Sequence, residues 1–517
     1  MKTRPMVGAR QRRWQPEYGR VAHDDESAVT GRGILTAPCS LARRSGYTPL
    51  VLPCHLDRRR VVRRSSDAGW VHAACLLTLV VAAATIIRAD EWPEWRGRGR
   101  VGVWTESGIV DRLPEGGPRA AWRTPVHAGY SGPAVSGGRV FVTDSRRIDP
   151  NRRNRAAERI VALDESTGTV LWTHQWETDY SGLQLVYAIG PRATPTVDGD
   201  RVYVLGAMGQ LIALDAAKGT VVWQKDYVKD FNASIPSWGT AGAPLVDDDL
   251  LICLVGGEPD GKVIALDKRT GKEVWRALSS DSEPGYNQPL IIVAGGARQL
   301  IVWHARAVSS LDPATGKVYW EFDHPVQQSI VVATPVHSGR RLFLTSQYGG
   351  ARMLTLDQDK PGAMVAWSGL GEQDPGMTHD TPNTLNSVIS TPVIDGAYVY
   401  GLDNDGQLRC LEAATGTLVW KTDALLKEAH ANWGTAFFVK QGDRYFINTD
   451  RGELVIARLS PKGFDEVSRA QVIEPTNPYV RRRAHANVLW THAAYANKHV
   501  VIRNDREIVR LSLASGS

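Results

Sequence analysis

The chain has 517 residues, with 61 Lys and Arg against 55 Asp and Glu, a formal charge of +6. The first 89 residues account for all of this positive charge, since they hold 15 basic and 6 acidic side chains and carry +9. The rest of the chain carries −3 and shows no basic stripe, so a nucleic-acid-binding surface is not expected. Beyond residue 89 the cysteines are Cys253 and Cys410, which predict buried thiols rather than a disulfide framework.

Residues 67–89 have the order of an export signal. Arg63 and Arg64 precede an apolar run over 69–87, and the small residue Ala89 follows as a cleavage position. Because about 20 apolar residues also suffice to span a bilayer, an uncleaved N-terminal membrane anchor is the alternative. Residues 1–66 lack periodicity and are predicted to be disordered or a wrongly assigned start, of which we favour the second. An exported protein of the periplasm or cell envelope is therefore expected.

The next segment, residues 90–120, contains Trp92-Pro93-Glu94-Trp95-Arg96-Gly97. Two tryptophans that flank a proline predict an extended lead-in lying against the domain that follows. A strand with Trp122 comes next and has no hairpin before it.

From residue 121 to residue 517 one short pattern recurs, and its clearest copy is Ala265–Trp275. An apolar pair precedes Asp267, a turn closes on Thr270-Gly271, and a short strand ends on Trp275. Asp can hydrogen-bond its own backbone two residues on, and Gly accepts the positive φ of such a turn. Each copy therefore predicts a tight β-hairpin.

The copies repeat with a period of about 50 residues. Their final tryptophans lie 51, 52, 45, 47 and 53 residues apart. A second hairpin precedes each copy, as at Pro195–Val204 with Asp-Gly at the turn, so each period holds four short strands. Four antiparallel strands per period predict one blade of a β-propeller. The tryptophans assigned to this scaffold are Trp122, Trp172, Trp223, Trp275, Trp320, Trp367 and Trp420.

The predicted fold is thus all-β, an eight-bladed β-propeller of four-stranded antiparallel blades. The last unit supplies only three strands. The N-terminal strand that contains Trp122 is predicted to be its fourth, and this pairing closes the ring. Seven blades with an irregular C-terminus are the alternative.

The repeated Ala-Leu-Asp-x-x-Thr-Gly-x-x-x-Trp pattern resembles the tryptophan-docking repeat of quinoprotein-type, or pyrroloquinoline quinone (PQQ)-like, β-propellers. That family includes PQQ-dependent dehydrogenases and non-catalytic propellers such as the one in the outer-membrane β-barrel assembly machinery. The motifs over 92–97 and 130–135 resemble the opening of exported PQQ-like repeat proteins rather than that of a dehydrogenase. A dehydrogenase resemblance would imply PQQ with calcium held by Glu, Asn and Asp. This chain has no adjacent cysteine pair and no Cys-x-x-Cys-His.

A ligand site is expected at the mouth of the central channel, among the segments that precede each innermost strand. These segments are polar and aromatic, which suits a small planar ligand or a peptide. The candidate cofactor-binding residues there are Arg192, Trp238, Asn287, Asn386, Asn432, Trp433 and His492. The insertion over 371–386 offers His379 and Asp380, but two potential ligands without metal-ligand spacing do not define a metal site. No catalytic residue is assigned.

Three functions remain open on the sequence alone. The first is a non-catalytic interaction scaffold with protein partners in the cell envelope, and without a cofactor. The second is a PQQ- and calcium-dependent dehydrogenase of alcohols or sugars. The third is a propeller that binds a small ligand or a glycan. We favour the first because the expected cofactor features of the dehydrogenases are missing from the sequence.

Overall fold

The computed structural model describes residues 91–185, 189–279, 281–369, 384–478, 484 and 487–516. The export signal predicted over 67–89 and the residues before it lie outside this part. Within it, eight four-stranded antiparallel sheets form a ring, which confirms the all-β, eight-bladed propeller. Blades are numbered 1–8 along the chain, and the strands of each blade are named a to d from the channel outward.

Strands a to d are consecutive in blades 1–7 and pair with their sequence neighbours. In blades 1–3 they are Ala134–Ser136, Arg139–Arg147, Arg155–Asp164 and Val170–Asp179; then Thr196–Asp198, Arg201–Leu205, Gln210–Asp215 and Val221–Asp226; then Leu245–Asp247, Leu250–Gly257, Gly261–Asp267 and Glu273–Ala277. In blades 4 and 5 they are Leu290–Ala294, Ala297–Trp303, Ala307–Leu311 and Val318–Asp323; then Val336–Ser338, Arg341–Ser346, Gly350–Leu356 and Ala363–Ser368. In blades 6 and 7 they are Val393–Asp395, Tyr398–Leu402, Leu408–Glu412 and Leu418–Thr422; then Ala436–Gln441, Arg444–Thr449, Glu453–Ser460 and Gly463–Gln471.

Blade 8 joins the two ends of the domain. Its strands a to c are Ala494–Ala496, His499–Arg503 and Glu507–Ser512, and its strand d is the early segment Ala120–Pro125. The pairing is antiparallel and sets Trp122 opposite Arg510. The predicted closure by the Trp122 strand is therefore confirmed, and it leaves the ring without an open sheet edge at the seam.

In the part of the chain that the structure describes, four short elements lie outside the blades. Two 3-10 turns are Arg98–Arg100 and Gln327–Ser329, a one-turn α-helix is Tyr227–Phe231, and a two-stranded ribbon pairs Asn477–Pro478 with Asn487–Val488. None of the helices in the described part of the chain has the length and apolar character needed to cross a membrane.

The hydrophobic core is divided among the interfaces between neighbouring blades. Strands b and c are buried on both faces, as in Leu250–Gly257, and they read as continuous apolar runs. Strand d alternates between exposed and half-buried residues, as in Val170–Asp179, because its outer face meets solvent. The stability of the ring therefore depends on blade-to-blade packing.

The tryptophans of strand d contact the following blade. The indole N–H of Trp172 donates to the carbonyl of Ala216 at 3.1 Å, and that of Trp275 donates to the carbonyl of Pro313 at 3.2 Å. The same indole-to-carbonyl bond to the next blade is made by Trp122, Trp223, Trp367 and Trp420. Trp320 differs, because its indole N–H donates to Gln299 Oε1 of its own blade at 2.9 Å. How much each tryptophan stabilises the scaffold stays a prediction.

The lead-in runs across the innermost strands. Trp92 exchanges two backbone hydrogen bonds with Val135 of blade 1, at 2.9 and 2.8 Å, and the Pro93 carbonyl accepts from Val197 of blade 2 at 2.8 Å. Further along the lead-in, the Trp104 backbone N–H donates to the Lys440 carbonyl of blade 7 at 2.8 Å. The lead-in thus bridges the innermost strands of blades 1, 2 and 7.

Arg100 fixes the lead-in to blades 3 and 4. Its guanidinium donates to the carbonyl oxygens of Ala243, Pro244 and Pro289 at 3.1, 2.7 and 2.9 Å. It also pairs with Glu94 at 2.9 Å, and 1% of its side chain is exposed. Among the described residues, the lead-in therefore crosses the channel at the level of the innermost strands, and the mouth above it is open.

Candidate channel-mouth pocket

The open mouth of the channel holds a pocket with a volume of about 200 Å³. Each blade contributes to the wall a residue at nearly the same place in its sequence. This residue lies four positions before the start of strand a in seven blades, and three positions before it in blade 7. Taken from blade 1 to blade 8, these residues are Tyr130, Arg192, Ala241, Tyr286, Val332, Ile389, Trp433 and Trp490. A repeated backbone thus presents one variable side chain per blade to the same cavity.

Trp95 of the lead-in also contributes to the pocket. Its ring lies edge-on to the ring of His492, with centroids 6.2 Å apart and planes at 86°. Phe437 approaches the same imidazole at 6.1 Å. The lead-in therefore supplies part of the pocket surface, and an aromatic ring meets whatever enters from the mouth.

Trp238 and Tyr286 form one wall, held by an acidic residue behind them. The two rings lie 5.7 Å apart at 70°. Glu283 accepts hydrogen bonds from the Tyr286 hydroxyl at 2.6 Å and from the Ser237 hydroxyl at 2.6 Å. The carboxylate joins the loops that carry the two rings and so fixes their separation. Sequence reasoning missed Glu283, since nothing in its local pattern marks it as a bridging residue.

Trp433 and Trp490, from blades 7 and 8, form the wall that faces Trp238 and Tyr286 of blades 3 and 4. Their rings lie 6.4 Å apart at 42°. Trp433 has φ +56°, an uncommon conformation for a bulky residue, and its backbone N–H donates to the carbonyl of Asn404 at 2.7 Å. Strained backbone of this kind is held in place by its surroundings and concentrates at functional sites.

Arg192 brings a positive charge to the pocket. Its Nη1 donates to the carbonyl of Gly190 at 2.9 Å, and its guanidinium lies 5.9 Å from the centre of the Tyr130 ring. Burial lowers the pKa of Arg192 below its ordinary value, and the nearby Tyr130, Tyr180, Tyr286 and Glu158 oppose that effect. Arginine remains protonated at neutral pH in proteins, so this wall is cationic.

His492 lies at the inner edge of the pocket as a neutral ring. Burial lowers the pKa of His492 to about 4. Its Nδ1 faces the carbonyl of Ala493 at 3.4 Å, and its Nε2 lies 2.7 Å from the hydroxyl of Thr194. An Nδ1–H tautomer satisfies both contacts, because Nε2 then accepts from the threonine.

Next to the pocket wall, hydrogen bonds from backbone amides to side chains join blades 3–6 to one another. The Ala243 N–H donates to Gln288 Oε1 at 2.5 Å, and the Gln288 N–H donates to the Thr334 hydroxyl at 3.1 Å. The Thr334 N–H donates in turn to the Thr391 hydroxyl at 3.2 Å. This belt fixes the spacing of blades 3–6 and therefore the width of the mouth.

Four of the seven residues predicted for the site line this pocket: Arg192, Trp238, Trp433 and His492. The three asparagines do not. Asn287 is fully buried and donates to the carbonyl of Trp303 at 2.5 Å, and the backbone N–H of Asn386 donates to Asp403 Oδ1 at 2.7 Å. Asn432 is buried beside Trp433. Ligand binding by any of the seven stays a prediction.

Sequence reasoning did not single out the aliphatic residues of the pocket wall. Val332 lies four residues before strand a, as Arg192 and Tyr286 do, and Ile330 and Val388 lie within two residues of that position in blades 5 and 6. Counting back from each innermost strand would have found them. The predicted insertion residues His379 and Asp380 lie outside the described residues.

The described residues form a β-propeller of eight blades, six of which are joined to the next blade by an indole-to-carbonyl bond. A family model described as outer membrane protein assembly factor BamB matches residues 115–258, 156–421 and 308–466, more than half of the chain. The chain belongs to this BamB-like family of PQQ-repeat propellers.

Individual relatives are more distant. Outer membrane protein assembly factor BamB of Moranella endobia is 26% identical over 266 residues, which are 48% of this chain and 62% of that protein. BamB of Burkholderia pseudomallei is 25% identical over 234 residues, 44% of this chain and 54% of that protein. The chain thus spans less than two thirds of these relatives. Among solved structures, quinohemoprotein alcohol dehydrogenase from Comamonas testosteroni matches 84% of this chain and 82% of its own, with a TM-score of 0.53 and 15% identity, and this likeness shows the fold alone.

The described pocket does not fit the calcium-bound quinone that the dehydrogenase resemblance implies. Calcium takes six to eight oxygen ligands, mostly carboxylates, and no Asp or Glu is among the described residues of the wall. The amide of Gln288 is committed to the backbone of Ala243 and Ala241. In the described part of the chain, no group of three or more His, Cys, Asp and Glu is arranged to share a metal ion.

Proposed function

We propose that this protein is an exported, non-catalytic propeller of the cell envelope that binds a partner protein through its channel-mouth pocket. The observation that carries the proposal is the wall itself, to which every blade contributes one side chain and which is dominated by aromatic rings. Aromatic residues supply large apolar area with few rotatable bonds and are enriched where proteins bind each other.

Membership in the BamB-like family supports a protein as the partner. The relatives are named as outer membrane protein assembly factors. We extend to this chain a role beside other proteins of the cell envelope. The apolar run at 69–87 supports export. Protease treatment of intact cells and of cells with a permeabilised outer membrane would test the location. Digestion only after permeabilisation is expected, and a fully protected protein in the cytoplasmic fraction would contradict export.

Site-specific photo-crosslinking in the native cells tests the binding surface. A photoreactive phenylalanine analogue at Ile389, which is half-buried in the pocket wall, is expected to give adducts with envelope proteins. The matched control is the same analogue at Met364, which is 72% exposed on strand d of blade 5. Adducts from position 364 with none from position 389 would show that a partner docks on the outside, and the pocket proposal would be wrong.

A further inference from the structure

Strands b and c of blade 1 extend beyond those of the next blade at the mouth of the channel. They have 9 and 10 residues, against 5 and 6 in blade 2. Both strands b begin opposite the aspartate that ends strand c, with Arg139 opposite Asp164 and Arg201 opposite Asp215. The extra residues therefore all lie at the mouth end, where strand b projects about 13 Å further at about 3.3 Å per residue. We call residues 146–155, the end of this projection, the basic hairpin.

The projection rises from the wall of the pocket. The Ser145 N–H, on strand b, donates to the Ala128 carbonyl at 2.7 Å, and Ala128 lies two residues before Tyr130 of the wall. Ser145 is the last buried residue of strand b, and Arg146 and Arg147 follow it in the exposed part. A partner that enters the pocket and extends over blade 1 therefore meets the basic hairpin.

The basic hairpin concentrates positive charge on a domain that is otherwise slightly acidic. It holds one acidic residue and five arginines, which are Arg146, Arg147, Arg152, Arg153 and Arg155. Arg155 pairs with Glu177 of strand d at 2.7 Å. The other four are exposed, and none of them forms an ion pair with a residue that the structure describes. The connections between strands b and c of the other seven blades contain at most one Lys or Arg each.

The acidic groups nearby compensate this charge only in part. Asp149, in the turn, accepts the Asn151 N–H at 2.8 Å. Asp179, at the end of strand d, lies within electrostatic range of Arg152, but its Oδ1 accepts from the N–H and the hydroxyl of Ser181 at 2.9 and 2.6 Å. Both carboxylates thus belong to local turns, and several guanidinium groups are left to face solvent.

The basic hairpin is regular structure rather than a loose loop. Arg147 pairs with Ala156 across strands b and c, and strand d continues alongside until Asp179 stands opposite Arg155. The Tyr180 N–H then donates to the carbonyl of Asn154 at 2.9 Å. Cations held close together repel one another, and a ligand that brings negative charge relieves this repulsion.

We propose that the basic hairpin binds an acidic segment of the protein that docks at the channel mouth, through pairs between its arginines and Asp or Glu carboxylates. This inference rests on the proposed function and names the charge of the partner. The planar guanidinium matches a carboxylate with two parallel hydrogen bonds, so such pairs give orientation as well as affinity. A polypeptide is favoured over a membrane surface, because the exposed large apolar side chain of the hairpin is that of Ile148 alone, and elements that lie in membranes bury a whole apolar face.

Binding of a labelled octaglutamate peptide, acetylated and amidated at its ends, to the purified full chain tests the proposal by fluorescence anisotropy. The variant carries Arg146→Glu, Arg147→Glu and Arg153→Glu, three exposed positions at which no tertiary contact is lost. It is expected to bind about 10- to 100-fold more weakly, because three ion pairs are replaced by three repulsions. Binding to the natural protein should also weaken in about 0.5 M NaCl, since exposed charges are screened. Equal affinity of the natural protein and the variant would overturn the proposal.

The matched control reverses three charges on the opposite face. Lys218, Lys272 and Lys317 are exposed in the turns between strands c and d of blades 2–4, and their replacement by Glu changes the net charge by the same amount. This control is expected to keep nearly the full affinity for octaglutamate. An equal loss in both triple variants would mean that the charge of the whole protein, and not the basic hairpin, attracts the peptide.

Two further measurements separate this inference from other readings and from the function on which it rests. If phosphatidylcholine vesicles with about 25% phosphatidylglycerol bind through the three arginines while octaglutamate does not, the hairpin is a membrane contact and the polypeptide assignment fails. In cells, the triple arginine variant is expected to give fewer adducts from the photoreactive analogue at position 389. Unchanged adducts there would refute the inference and leave the proposed function standing. Octaglutamate binding that depends on the arginines, without any adduct from position 389, would instead remove the proposed function.

Discussion

The hydroxyl of Thr194 and Nε2 of His492 lie 2.7 Å apart, although Thr194 precedes strand a of blade 2 and His492 precedes strand a of blade 8. Blade 1 stands between them in the ring. The contact passes over blade 1 because Gly132 occupies the equivalent position there and has no side chain. The His492 imidazole fills the space that a side chain at position 132 would need. The hydrogen bond to Thr194 therefore links blades 8 and 2 across blade 1.

Substitution of Gly132 is expected to destabilise the ring at this seam. A Cβ at position 132 would overlap the His492 ring, which is 7% exposed and would have to give up its contact with Thr194 in order to move. Overpacking of this kind costs about 1–3 kcal/mol of unfolding free energy. Chemical denaturation of Gly132→Ala measures it. Gly362→Ala is the control, since its Cβ would meet the nearest atom, Asp357 Cβ, at 3.4 Å. Equal stability of the two variants would show that the seam is not tightly packed.

The strand d tryptophans should differ in what they contribute to stability. Trp275 is 8% exposed and bonds to Pro313 of the next blade, whereas Trp320 bonds within its own blade. Trp275→Ala is expected to cost about 3–5 kcal/mol, because a large buried side chain is removed. Trp320→Ala should cost less, since its side chain is only partly buried and its indole hydrogen bond does not join two blades. Denaturation midpoints and slopes of the two variants give the comparison, and a larger loss for Trp320→Ala would refute the ranking.

The fold was predictable because a repeat constrains every copy of itself. Asp267 and Gly271 mark one turn, and Trp275 marks the outer strand that follows it. The same spacing recurs until the last unit, which lacks a strand that the Trp122 segment supplies. The exception at Trp320 follows from a local change: the turn of blade 5 runs through Pro361, and Gly362 does not lie beneath the indole as Gly316 lies beneath Trp275.

The site was harder to predict because neighbouring residues in a mouth loop face different surroundings. Tyr286 faces the cavity, while Asn287, one residue later, turns into the blade and bonds to Trp303. A polar residue next to an innermost strand therefore gives no indication of which way it points. Trp95 lies far from these loops in sequence, and only the folded lead-in brings it to the pocket.

The stability of the protein should depend on pH through Glu158. Burial raises the pKa of Glu158 to about 7, from an ordinary value of 4.5, although the Tyr180 hydroxyl, the Ala207 N–H and the Trp176 indole all donate to the carboxyl group. Between these two values the folded state holds a proton that the unfolded state has lost. Stability therefore falls as pH rises from about 4.5 to 7, and it is insensitive to this group outside that window.

Glu158→Gln isolates this effect, because the amide has the same shape and does not titrate. The unfolding free energy of the natural protein relative to the variant is expected to fall by about 3 kcal/mol between pH 4.5 and 7, since each pKa unit corresponds to about 1.4 kcal/mol. Urea denaturation of both proteins across this range provides the difference curve. A flat curve would mean that the carboxyl group has the same pKa in the folded and unfolded states.

The lead-in should be an integral part of the propeller, and Arg100 is the residue on which to test it. Arg100→Met removes three hydrogen bonds to buried carbonyl oxygens and the partner of Glu94. Breaking a buried charge pair on one side costs about 3–5 kcal/mol. Arg98→Met is the control, because Arg98 is two residues away and solvent-exposed, and it pairs with Glu91 at 3.2 Å. Exposed pairs of this kind contribute at most about 1 kcal/mol.

Limited proteolysis separates two ways in which Arg100→Met could act. If the lead-in only covers a propeller that is stable without it, cleavage between residues 91 and 119 should become fast while the blades stay resistant. If it bridges the blades, as its bonds to Val135, Val197 and Lys440 indicate, the blades and the lead-in should lose protection together. We expect the second result, because strands a of blades 1, 2 and 7 would otherwise leave backbone groups unpaired towards the channel. Resistance equal to that of Arg98→Met would show that Arg100 does not anchor the lead-in.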